Sequence, residues 1–136
     1  MNKDVEVTIG REKYTTTVRY GDLELTADEP EELGGQNKGL APNQLLLSAL
    51  GTCKAITMKM YADRKEWPLE RIHLRLQSEV QQSDRQQTTY IRCHISLEGD
   101  LDMDQKKRIQ LIGEKCPIQK ILDNPIVVES NLIDTE

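Results

Sequence analysis

The residues of this sequence best suited to chemistry are its three cysteines. A thiolate is a nucleophile and a two-electron reductant, and a second thiol within reach can close a disulfide on the oxidised first one. Cys53 stands inside "GLAPNQLLLSALGTCKAITMKMYADRK", Gly39 to Lys65, an apolar run rich in leucine and small residues. Cys116 stands in "GEKCPIQKIL", followed by Pro117. Proline favours the first position of a helix, which puts Cys116 at or near an N-cap, where free N–H groups and the helix dipole favour a thiolate over a thiol. Lys115 adds positive charge beside it. Cys116 is therefore either a reactive thiol or a chance cysteine at a loop–helix junction. Cys53 also has two readings. Gly51 and Ala49 leave room nearby for another backbone or a small ligand. An apolar setting alone, however, raises a thiol's pKa and makes it inert. Cys53 is a packing residue unless a cation or hydrogen-bond donor reaches it from elsewhere in the fold. Cys93 is in register with Ile91, Ile95 and Leu97 on the apolar side of a strand and reads as a buried small hydrophobe.

Other chemistries find little support. His73 and His94 fall on the polar faces of alternating strands, which suits exposed histidines rather than partners for a cysteine. No Ser-His-Asp or H-E-x-x-H spacing is present, and no phosphate loop. "LGGQNKG" lacks the order of a nucleotide-binding glycine motif and reads as a flexible loop. Without a C-x-x-C pair, the cysteines form neither a zinc signature nor a disulfide framework. The formal charge of −5, with both signs interspersed and no basic block, argues against nucleic acid and anionic membranes as partners. "MNKDVEVTIG" has no apolar core of a secretory signal, and the most apolar window, Ala41–Ala62, is interrupted by Asn43, Gln44, Ser48, Thr52, Lys54, Thr57 and Lys59. The expected setting is the cytoplasm, where thiols stay reduced.

The elements that must position the cysteines follow from periodicity. A length of 136 residues fits one domain, 1–136. Strands are expected at 5–9, 14–20 and 23–27, joined by "GREK" and "GD" as a small meander. Asp28–Ala41 is a loop, long enough to suggest a functional one. Pro42 opens a helix running to about Lys65, stopped before Trp67-Pro68 and apolar over more than one stripe, as in a central buried helix. Strands at 71–80 and 88–99 flank the polar turn "QQSDRQQ". A second helix begins at Asp102 or Asp104 and ends near Gly113, a third begins at Cys116-Pro117, and 125–133 closes the chain as a strand. The order is an α+β pattern, βββ-α-ββ-αα-β. With no Phe and 4% aromatics, the core rests on Leu, Ile, Val, Met and Ala, and a chain so supplied gains from extra burial in an oligomer.

Taken together, "ADEPEELGG" (27–35), "GLAPNQLLLSALGTC" (39–53), "MYADRK" (60–65) and "CPIQKIL" (116–122) resemble the OsmC/Ohr family of osmotically induced proteins and organic hydroperoxide resistance enzymes. The likeness runs through nearly the whole chain, and its wording is closer to a third, less characterised branch than to the two named peroxidase branches. The resemblance implies an intertwined homodimer with two long buried central helices and active sites at the dimer interface. It implies a thiol peroxidase active against oxidative stress: Cys53 reduces an organic hydroperoxide and becomes a sulfenic acid, Cys116 condenses with it, and a dithiol reductant of lipoyl or thioredoxin type opens the disulfide. No metal, haem or flavin cofactor is implied. An arginine serves the thiolate in this family, and Arg11 is the best match, with Arg19 the fallback. The family's glutamate after the helix-opening proline is replaced here by Asn43, which can accept a hydrogen bond but cannot form an ion pair. The substitution leaves two other readings open, a non-catalytic module binding an apolar small molecule and a thiol-based redox sensor.

Overall fold

A computed structural model of the chain describes residues 4–133. Contacts gather into two compact units, the first ending at Ser48 and the second beginning at Ala49. The single domain expected over 1–136 includes residues 1–3 and 134–136, which lie outside the described range.

In the first unit, β1 (Glu6–Ile9), β2 (Thr16–Tyr20) and β3 (Leu23–Ala27) form an antiparallel meander in chain order. Val7 faces Val18, and Val18 faces Leu25. Gly21, at φ +61°, makes the tight β2–β3 connection, a conformation that glycine adopts without steric cost. The loop after β3 is organised around Asp28, which is buried. Its carboxylate accepts backbone N–H groups from Tyr14 (3.1 Å), Glu29 (2.7 Å), Gln36 (3.3 Å) and Lys38 (3.1 Å). Asp28 N–H in turn donates to Leu40 O at 3.2 Å. Gly35 sits where a Cβ would come within 2.1 Å of Glu29 O, so the fold of the loop requires its bare backbone. The glycine-rich stretch expected to be flexible is thus pinned, because its amides serve a buried carboxylate.

Helix α1 (Pro42–Arg64) starts in the first unit and continues into the second. Proline at its first position needs no donor, and the Ala41 N–H donates to the Gln44 side chain at 3.0 Å, half of a capping box. At its other end Glu66 takes a positive φ of 57° and Trp67 N–H bonds Ala62 O at 2.9 Å, turning the chain out of the helix just before Pro68.

The second unit pairs the rest of α1 with a long antiparallel hairpin, β4 (Leu69–Gln82) and β5 (Gln87–Gly99). Strict alternation turns Ile72, Leu74 and Leu76 of β4, and Cys93, Ile95 and Leu97 of β5, to the covered face, while His73, Arg75 and His94 are exposed. Helix α2 (Met103–Gly113) begins with a complete capping box between Asp102 and Gln105, and α3 (Pro117–Leu122) follows at once. Met58, Tyr61, Ala62, Leu69 and Ile109 form the core, joined by Trp67 and the inner faces of the hairpin. Tyr61 meets Trp67 edge-on at 5.6 Å, and its hydroxyl accepts from Arg108 Nε at 3.1 Å.

Two features depart from the simplest expectation. Residues 125–133 form no strand, since no sheet edge among the described residues pairs with them, and an unpaired strand is not stable. Val127, Val128 and Leu132 are consequently 84%, 82% and 98% exposed. Within one chain, moreover, only one stripe of α1 is buried (Leu50, Gly51, Lys54, Met58, Tyr61 and Ala62), while Leu46, Ile56 and Met60 are exposed.

Burial pushes the Asp28 carboxyl up, but the four backbone N–H bonds outweigh this and hold it below the usual carboxylate range. Because the folded pKa is depressed, the stabilisation is fully present above the unfolded value of about 3.9 and is lost as pH falls through the folded one. Asp28→Asn is expected to lower the melting temperature at pH 7, and the gap from the parent protein should narrow below about pH 3.9. A gap of equal size in thermal melts at both pH values would show that the carboxylate charge is not what holds the loop.

Candidate functional site

Cys116 is placed by a chain of local bonds. After Gly113 the chain leaves α2 through N–H bonds from Glu114 to Leu111 O (3.1 Å), Lys115 to Ile112 O (2.9 Å) and Cys116 to Gly113 O (3.4 Å). Cys116 then takes an extended backbone (φ −65°, ψ 143°) as the N-cap of α3, with Pro117 as the first helical residue. Its sulfur accepts the Gln119 N–H at 3.4 Å. The expected N-cap thiol is therefore present, but Cys116 has no exposed surface.

Cys53, on α1, is half-buried. Cys53 lies near enough to Cys116 to push the ionisation of its thiol up. Burial pushes the Cys116 thiol up, the Gln119 N–H pulls it down, Cys53 pushes it up again and Lys54 pulls it down, with a net rise. The pair is asymmetric. Cys53 is half-buried, whereas Cys116 is fully enclosed, with a hydrogen-bond donor and a cation nearby.

That cation is Lys54, which in the sequence is only a polar interruption of the apolar window. Lys54 is 4% exposed. Its Nζ donates to Gly113 O at 3.3 Å and to the Gln119 side-chain oxygen, and lies 3.8 Å from a carboxylate oxygen of Glu114. Gln119 Nε2 donates to Glu114 Oε2 at 2.9 Å and to Asp123 Oδ2 at 3.5 Å. Spacing held the missed signal: Lys54 is four residues after Leu50 and four before Met58, on the one stripe of α1 that is buried.

Cys93 faces inward opposite Leu76, half-buried as part of the apolar face. Burial pushes its thiol up, against a downward pull from Lys54, and Glu114 raises it further, which suits an inert cysteine. The room expected beside Gly51 is filled within the chain, because a Cβ there would lie 2.8 Å from Leu76 Cδ1.

The remaining candidates belong to the first unit. Arg11 lies exposed in the bend between β1 and β2. Arg19 is engaged with Glu24 across the β2–β3 ladder, both exposed. Asn43 is the second residue of α1. Among the described residues no group of three or more His, Cys, Asp or Glu side chains is placed to hold a metal ion, and no helix is long and apolar enough to cross a membrane.

Among curated proteins none matches the chain. Solved structures match its fold. An OsmC-like protein from Mycoplasma pneumoniae is 20% identical, with a TM-score of 0.75 over 90% of this chain and 88% of its own. An organic hydroperoxide resistance protein OsmC from Legionella pneumophila is 19% identical, with a TM-score of 0.66 over 90% of this chain and 89% of its own. An organic hydroperoxide resistance protein from Elizabethkingia anophelis is 16% identical, with a TM-score of 0.64 over 89% of this chain and 87% of its own. The family model for OsmC-like protein matches residues 35–131, a span that holds α1, the β4–β5 hairpin, both later helices and all three cysteines. The chain belongs to the OsmC-like protein family.

Proposed function

We propose that this protein is a thiol peroxidase that reduces organic hydroperoxides through Cys53 and Cys116. The observation that carries the reading is the asymmetric thiol pair, one sulfur half-buried and its neighbour fully enclosed. The hydroperoxide resistance proteins of similar fold support the substrate class. In the first step the Cys53 thiolate attacks the terminal oxygen of the hydroperoxide. An S–O bond forms, the O–O bond breaks, and the alkoxide leaves as an alcohol after taking a proton. The product is a sulfenic acid. Cys116, enclosed beside it, attacks the Cys53 sulfur. An S–S bond forms, the S–O bond breaks, and hydroxide leaves as water. A dithiol of lipoyl or thioredoxin type then exchanges with the disulfide, restoring both thiols and becoming a disulfide itself.

Arg11 is the arginine we assign to the thiolate and peroxide, since Arg19 is engaged with Glu24. Asn43 replaces the carboxylate that would orient such an arginine. The working form is a homodimer in a reducing, cytoplasmic setting. The exposed apolar residues of α1 and the unpaired 125–133 segment are the surfaces that a second copy would cover.

One equivalent of an alkyl or aryl hydroperoxide is expected to consume two thiols per chain and leave Cys93 free. Peptide mass spectrometry should find Cys53 linked to Cys116. Cys53→Ser should abolish peroxide consumption, whereas Cys116→Ser should hold a Cys53 sulfenic acid that dimedone traps. Survival of both thiols in excess peroxide would end the peroxidase reading.

Sedimentation at micromolar concentration is expected to give twice the 15.6 kDa chain mass. A 15.6 kDa species under those conditions would rule out the dimer as the working form.

A further inference from the structure

We propose that Lys54 is a positioning residue that holds the negative charge of Cys116 when the disulfide is opened, so that the reductant enters at Cys53 and Cys116 departs. The inference rests on the disulfide cycle above, but it concerns a residue to which that cycle gives no role.

The geometry has three parts. Access comes first: Cys116 has no exposed surface, whereas Cys53 is only half-buried, so of the two residues Cys53 is the one open to an external thiolate. The exchange then balances in one way. A bond forms between the reductant sulfur and Cys53 Sγ, the Cys53–Cys116 bond breaks, and its electron pair stays on Cys116 Sγ. The second reductant thiol next displaces Cys53 from the mixed disulfide. The leaving group is therefore a thiolate at a buried position, where charge is disfavoured. Exchange slows as the pKa of the leaving thiol rises.

Compensation is the second part. Lys54 shares the burial, and Gln119 serves both groups, accepting from Lys54 Nζ through its side chain and donating its backbone N–H to Cys116 Sγ. The third part is that the charge of Lys54 is only partly taken up. The direct hydrogen-bond acceptors of its Nζ, Gly113 O and Gln119 Oε1, are neutral. The nearest carboxylate, Glu114, stands 3.8 Å away with its side chain 48% exposed, where solvent screens it. The groups around the ammonium are thus Cys53 on its own helix, Gly113 and Glu114 at the end of α2, Gln119 and Cys116 of α3 with Asp123 beyond, and Cys93 of β5.

The test needs no peroxide, so its outcome is separate from that of the peroxidase reading. In a Cys53→Ser, Cys93→Ser background, Cys116 is the sole thiol, and its thiolate absorbance near 240 nm is followed against pH. Lys54→Met is expected to weaken Cys116 ionisation about tenfold, a rise of about one pH unit. Glu114→Gln, at a half-exposed position, is expected to move the midpoint the other way. A higher midpoint with Lys54→Met supports the proposal, whereas an unmoved or lower one overturns it. Should Lys54→Met fail to fold, Lys54→Gln decides in its place: a higher midpoint supports the proposal and an unmoved one overturns it. The second arm oxidises the parent protein with diamide and exposes it briefly to glutathione. An adduct on Cys53 by peptide mapping is the expected result, and an adduct on Cys116 overturns the direction of exchange.

Discussion

A buried ammonium ties the second unit together at the point where its chemistry is placed. Lys54 projects from α1 to the carbonyl that ends α2 and to the side chain of Gln119 in α3. Three helices are held at one atom, and the two thiols lie beside it. The α2–α3 junction is short and turns at Gly113, whose carbonyl accepts the Cys116 N–H at 3.4 Å within its own loop and Lys54 Nζ at 3.3 Å from α1. As the second donor to that carbonyl, Lys54 ties the position of Cys116 to α1 as well as to its own loop. The Cys53–Cys116 juxtaposition thus depends on one polar contact in addition to apolar packing.

Such an arrangement is costly in isolation. Enclosing an ammonium loses several kcal/mol of hydration, and a well-packed apolar side chain of similar volume is often as stable or more so. Here the cost is moderated rather than cancelled, because two neutral acceptors and one screened carboxylate replace the water. What an apolar residue could not supply at this site is positive potential next to an enclosed sulfur. That potential opposes the rise that burial imposes on both Cys116 and Cys93.

The elements were legible in the sequence wherever the pattern was local. Alternation in "RIHLRLQSEV" and "TTYIRCHISLEG" gave both long strands and the orientation of Cys93, and the Cys-Pro pair gave the N-cap at α3. Partnerships between distant residues were not legible. Asp28 reads as one acid among several in "ADEPEEL", yet its carboxylate accepts N–H groups from as far away as Tyr14 and Lys38. Lys54 reads as a solvated lysine until Gly113, fifty-nine residues on, is known to meet it. The 125–133 segment shows the converse error, since β-favourable residues specify a strand only where a ladder is available.

The substitution at the start of α1 bears on how the work of charge stabilisation is divided. A carboxylate at Asn43 would hold an arginine by a charge-assisted pair, whereas an amide offers only a neutral acceptor, roughly half as strong. Under the proposed assignment of Arg11, an arginine oriented by an amide would supply less fixed positive potential to the peroxide-facing step. Lys54 supplies its potential to the other sulfur, and it is fixed by burial rather than by a partner of opposite charge. The two steps of a thiol peroxidase cycle need not be equally assisted. Under the proposed cycle, Lys54 is a feature of the second unit that favours negative charge on Cys116, against the rise that burial imposes.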